Sequence, residues 1–119
     1  MKEKVFFLPG HAIKPTLAPG RGYCVASDTI TIQGYPVGYM YREAGDTGGD
    51  SGWRFFSGTE SEEFSLDAAN FQIYDVNTIA NYDPEIIPLL DAPTGSAFAR
   101  ESPSGPFVAV DFPSEEDLA

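Results

Sequence analysis

One cysteine, one histidine and one tryptophan stand among 119 residues. A lone Cys24 excludes an internal disulfide. With His11 the only histidine, no Cys/His spacing matches a structural zinc site, which makes the reducing cytosol the natural compartment. Basic side chains are also scarce, seven Lys and Arg against eighteen Asp and Glu, for a formal net charge of −11. Phosphate backbones are held by clustered cations, so a nucleic-acid partner is not expected. Long apolar runs are missing too. None approaches the roughly 18–20 residues that cross a bilayer. The Val5-Phe6-Phe7-Leu8 stretch is shorter than the roughly 7–15 residues of a secretory signal, and it reads instead as part of a first strand. No membrane partner is expected.

What the chain does have is apolar content, 42% with 13% aromatic, enough to offset the ordering entropy of one core and one domain spanning residues 1–119. Its charge is unevenly placed. Residues 1–21 hold Lys2, Lys4, Lys14 and Arg21 against Glu3. The remainder sets Arg42, Arg54 and Arg100 against seventeen acids, a body charge of −14. Such a body projects a negative field that repels nucleic acid and anionic membranes and can steer a basic protein partner. The competing reading is that the charge only keeps a small protein soluble.

Repeats and low-complexity tracts are absent, and Pro and Gly are scattered as turns. The spacing predicts strands at 22–26 and 29–32, the latter with period-two alternation, then a turn at Gln33-Gly34 and a strand at 37–42 that completes an antiparallel hairpin. Along 37–42, Val37, Tyr39 and Tyr41 share one face while Gly38, Met40 and Arg42 share the other. The glycine-rich 43–52 segment reads as an exposed loop. Trp53 to Ser57 reads as a central strand, because Phe55 lies with Trp53 on one face and Phe56 with Arg54 on the other.

After Gly58 the helix signals begin. Thr59 and Glu62 have capping-box spacing, Asp67-Ala68-Ala69-Asn70 looks like a cap and single turn, and 71–74 reads as extended with a helix as the alternative. Asp75 caps a helix over 76–82 whose Val76, Ile79 and Ala80 form an apolar stripe. Asp83-Pro84-Glu85 opens a tight turn limited by Pro88. Strands at 96–100 and 107–112 close the domain, and an acidic tail at 114–119 frays. The expected class is α+β: a single domain with a mainly antiparallel twisted sheet, and short helices and helical turns between residues 59 and 90.

Chemistry is thinly signalled. Cys24 and His11 are the candidates for a nucleophile and its base, yet Cys24 sits between Tyr23 and Val25, where a free cysteine packs as a small hydrophobe. Eighteen acids offer many carboxylate pairs, too many to be specific for hydrolysis. Asp46 and Asp50 flank two glycines but lack the alternating acids and distal Glu of a calcium loop, and no Gly-Lys-Ser/Thr follows to cradle phosphate. No metal, cofactor or catalytic set is assigned. A protein interface is the remaining reading. Trp53, between Asp46 and Asp50 on one side and Glu60, Glu62 and Glu63 on the other, has the aromatic-with-polar-rim composition of a binding hot spot. Its alternative role is that of the largest core residue.

Two strings carry a family resemblance: Ser51-Gly52-Trp53-Arg54-Phe55-Phe56-Ser57-Gly58 and Asn77-Thr78-Ile79-Ala80-Asn81-Tyr82-Asp83-Pro84. With Ala26-Ser27-Asp28, Val37-Gly38-Tyr39-Met40-Tyr41-Arg42-Glu43 and Pro88-Leu89-Leu90-Asp91, they resemble a bacterial family first described as a domain of unknown function. That family was later placed thirty-third among the immunity proteins of polymorphic toxin systems. The resemblance covers roughly residues 13–111. It implies an α+β fold and a cytosolic protein that binds a toxin and blocks it, with no catalytic residues to carry over. The expected function is therefore a non-enzymatic acidic inhibitor that docks on a basic toxin surface. The rivals are a housekeeping protein-binding or regulatory module and, third, a small hydrolase.

Overall fold

The computed structural model describes residues 4–45 and 48–113. Strands β1 (Tyr23–Ser27), β2 (Tyr39–Arg42), β3 (Asp50–Phe56), β4 (Phe71–Asp75), β5 (Ala97–Ala99) and β6 (Val108–Ala109) form one sheet in the order β4-β1-β3-β2-β5-β6. Helices α1 (Asp28–Thr31), α2 (Glu62–Leu66) and α3 (Val76–Tyr82) are joined by 3-10 turns at Gly10–Ala12, Ala68–Asn70 and Pro84–Leu89. Among the described residues β1 and β3 pair in parallel and the other pairings are antiparallel. The class is α+β with a mixed, mainly antiparallel sheet, and β3 is central as its two aromatic faces predict.

The two-residue period of the strands divides the sheet into two unlike faces. On one face Cys24, Ala26, Met40, Trp53 and Phe55 meet Val76, Ile79 and Ala80 of α3 and Ile86 and Leu90 of the last turn, all 2% exposed or less. This is the core. Helix α3 forms where its caps and stripe dictate: Asp75 accepts from Asn77 N at 2.8 Å and Asp83 closes its C-terminus. Two asparagines one turn apart then hold the irregular N-terminal segment against it. Asn77 Oδ1 accepts from Ala18 N and its amide donates to Lys14 O, while Asn81 pairs with both backbone groups of Lys14, each at 2.8–2.9 Å. The Asn-Thr-Ile-Ala-Asn string is thus a stitch for backbone that no strand or helix satisfies.

A buried ion pair locks the far end. Arg100, 9% exposed, ion-pairs with Asp83, donates from Nε to Val37 O at 2.9 Å, and stacks 4.2 Å from the Phe107 ring centroid. Asp83 also caps the last 3-10 turn through Glu85 N at 3.1 Å and accepts from Val37 N at 3.0 Å. One carboxylate therefore joins three segments.

Five expectations change. Residues 4–9 form no strand, because among the described residues Phe7 N bonding to Thr31 O is the one ladder-like contact there and Pro9 follows. Residues 28–31 are helical although their β-branched run favours a strand: Ser27 caps the turn by accepting from Thr29 N, and Ile30 and Thr31 are fully buried, so tertiary burial overrides propensity. The hairpin between 29–32 and 37–42 therefore does not form, and β2 pairs with β3 and β5 instead. Strand β3 begins at Asp50, inside the expected loop, and α2 is capped by Ser61 rather than Thr59, with Ser61 Oγ accepting from Phe64 N at 3.0 Å. The 114–119 tail lies outside the described residues.

Candidate functional site

The sheet face opposite the core is only partly covered, and it forms the floor of a groove of about 1190 Å³. Val25 of β1, Tyr39 and Tyr41 of β2, Arg54 and Phe56 of β3 and Ala99 of β5 make the floor. One wall is α2 with Glu62, Ser65 and Leu66, and the other is the chain from Asp111 to Pro113. Rings run across it without a break. Phe64 meets Phe71 (6.0 Å), Phe71 meets Phe56 (5.8 Å), Phe56 stacks on Tyr41 (5.7 Å, 17°), and Tyr41 meets Phe112 edge-on (5.6 Å). Leu66 stands at the wall 72% exposed, an apolar side chain with little cover.

A bulge sets the charge of the floor. Tyr23 pairs with Asp50 but Val25 pairs with Arg54, so β3 carries extra residues opposite β1, and Gly52 within them has φ +87°. A Cβ at Gly52 would collide with the Glu43 carbonyl, so the bend requires glycine. In a regular strand residues four apart lie about 13 Å apart. Here the bend brings Asp50 into a bidentate pair with Arg54, at 2.9 Å to Nη1 and 2.8 Å to Nη2, while Glu43 accepts from Arg54 Nε at 2.6 Å. The hydrogen bonds Arg54 donates to Asp50, opposed by burial and aided by the one it donates to Glu43, raise the guanidinium pKa further above its ordinary value. Two carboxylates surround one cation, so this cluster is negative as a whole.

The other charges behave differently from one another. Glu60 accepts from Thr29 Oγ1 (2.7 Å), Ser57 N (2.9 Å) and Gly58 N (2.9 Å), fixing the turn that leads into α2. Burial raises its pKa, but these hydrogen bonds together outweigh burial and leave it below the usual carboxylate value. Tyr41, buried beside Glu43, has its phenol pushed up to about 12 by burial first and Glu43 second, with Arg54 opposing. Glu62 and Asp111, on opposite walls, are exposed and carry no ion pair among the described residues.

The residues singled out in the sequence separate accordingly. Trp53 is 1% exposed, stacked 6.1 Å from Phe55 and donating from Nε1 to Leu90 O at 3.2 Å, so its ring belongs to the core and not to the surface. Its place follows from register: Trp53 lies on the opposite face of β3 from Arg54 and Phe56. Asp50 is drawn to Arg54, Glu60 to the 57–60 turn, and Glu62 stands on the groove wall with Glu63 exposed beside it on α2. Asp46 lies outside the described residues. Cys24 is fully buried and burial lifts its thiol pKa far above the ordinary range, whereas His11 is exposed in the first 3-10 turn. No cluster of metal-ligating side chains occurs among the described residues. Reading the residues one by one missed Tyr39, Tyr41, Phe56 and Phe112 as a shared surface. The signal was there in Tyr39 and Tyr41 on one face of a strand, but which face met the core was not.

A preformed groove with an aromatic floor and charged walls has the geometry of a recognition surface. The chain belongs to the immunity protein Imm33 domain family, whose model matches residues 24–111. No curated protein and no solved structure matches it. No helix among the described residues is long and apolar enough to cross a membrane.

Proposed function

We propose that this chain is a cytoplasmic, non-enzymatic immunity protein that neutralises a toxin protein by docking its acidic surface on a basic surface of the toxin. Membership of the immunity protein family over residues 24–111 carries the reading. The net charge of −11 supports the electrostatic half of it. A negative surface raises the encounter rate with a basic partner, and contacts then set residence time.

Capture from the native cell with the tagged full chain, followed by identification of the bound protein, tests the reading. A toxin with a basic face is the expected partner. Its association rate should fall about tenfold or more between roughly 20 mM and 0.5 M salt, since the Debye length shrinks from about 20 Å to below 5 Å. A salt-insensitive rate would remove the steering step, and an acidic partner would remove the docking model altogether.

A further inference from the structure

We infer that the open-face groove is the docking site and that its occupant is an extended segment of the toxin in which cationic side chains alternate with apolar ones. The inference rests on the immunity reading for the identity of the partner and on the groove itself for the chemistry.

The floor asks for apolar contact. Tyr39, Phe56, Phe71 and Phe112, with Val25 and Ala99, line the groove half-buried around the buried Tyr41 ring, so aromatic and aliphatic surface remains partly open along the floor. A volume of about 1190 Å³ is too large for one side chain and suits a length of polypeptide. The walls ask for positive charge. Arg54 is held by Asp50 and Glu43, and Arg100, at the edge, by Asp83 and Glu85, so the cations of the groove are neutralised from within. Glu62 on α2 and Asp111 on the opposite wall remain unpaired among the described residues. An anionic segment would meet uncompensated carboxylates on both sides. A second copy of this chain, itself at −11, is disfavoured for the same reason.

The alternation follows from spacing. An extended segment points successive side chains to opposite sides, so apolar residues can face the rings while cations at the intervening positions reach the walls.

The test uses the full chain labelled with nitrogen-15 and blocked hexapeptides alternating Arg with Leu, Glu with Leu, or Ser with Leu. Titration with the Arg/Leu peptide should shift the amides of Val25, Tyr39, Tyr41, Phe56, Ser65 and Phe112, and the Glu/Leu peptide should leave them in place. Shifts confined to the α3 face, or equal shifts with the Glu/Leu peptide, would overturn the inference. Two charge-reversed pairs then separate the groove from general charge. Glu62→Lys with Asp111→Lys should weaken the Arg/Leu peptide about tenfold or more, whereas Glu63→Lys with Glu101→Lys, equal in charge but not lining the groove, should weaken it by about threefold or less. All four positions are exposed, and circular dichroism verifies that both variants fold. Equal losses in the two pairs would refute the groove. Groove-confined shifts with no toxin captured from cells uphold the groove and refute the immunity reading. A captured toxin that binds the Glu62/Asp111 variant undiminished does the reverse.

Discussion

Replacing Trp53 with Phe measures whether the core or the surface owns this ring. The substitution removes about three ring atoms from a site 1% exposed; at about 0.8 kcal/mol per buried carbon the transfer loss is about 2 kcal/mol. It also deletes the 3.2 Å bond from Nε1 to Leu90 O and leaves that buried carbonyl without its donor, about 1 kcal/mol or somewhat more. A residual void beside Phe55 and Phe98 adds to both, so a loss of about 3–4 kcal/mol is expected. The variant stays folded if the parent lies well within the usual range of about 5–15 kcal/mol. Urea unfolding followed by far-UV circular dichroism should show the midpoint falling by about 1–3 M at a slope of about 1–3 kcal/mol per molar. Under native conditions the affinity for the Arg/Leu peptide should stay within about twofold of the parent. Stability within about 1 kcal/mol of the parent together with lost binding would refute the placement of Trp53 in the core and return it to the interface.

Further outcomes follow from the same contacts. Asp83→Ala should cost about 3–5 kcal/mol in thermal or urea unfolding because it strands the buried Arg100 and uncaps the last turn, and Asp83→Leu combined with Arg100→Met should be more stable than Asp83→Ala. A double variant no better than the single would contradict the pairing. Glu60 has a folded pKa below its unfolded value, so its contribution is complete above the unfolded value near 4.5 and is lost as pH falls through the folded one. Glu60→Gln should therefore flatten the acid limb of a stability-against-pH curve below about pH 4.5 and lower the neutral plateau; an unchanged acid limb would count against its hydrogen-bond set. Cys24, buried with its thiol pKa raised, should react with a disulfide reagent at pH 8 only as fast as the protein opens, and rapid labelling of folded protein would show that β1 is exposed.

The sequence was most legible where local chemistry decides the outcome. Asp75, Asp67 and Asp83 cap the elements that their spacing predicts, Pro84 opens the last turn, which runs on through Pro88 to Leu89, and the Val76, Ile79 and Ala80 stripe meets the core. Where long-range packing decides, local rules misled. Thr29-Ile30-Thr31 has strand propensity but folds as a helical turn because Ser27 caps it and burial takes all three residues. Asp50 looked like loop because the bulge at Gly52 and the pairing with Arg54 depend on β1, far away in sequence. The site was half legible for the same reason. A two-residue period shows that Trp53 and Arg54 face opposite ways, but only the placement of α3 tells which side is covered. Trp53, the most conspicuous aromatic, went inside, and the quieter Tyr39, Tyr41 and Phe56 were left to line the groove.

That division of β1, β2 and β3 into two faces also separates two kinds of selection. On each strand a residue that holds the fold alternates with one that faces the groove: Cys24 and Ala26 against Val25, Met40 against Tyr39 and Tyr41, Trp53 and Phe55 against Phe56. With the groove as the proposed docking site, substitutions at its positions would retune recognition of a protein partner while the buried positions keep their packing. Arg54 is the exception, since it faces the groove yet anchors Asp50 and Glu43. Divergent members should therefore vary at every second residue along these strands and hold this arginine fixed.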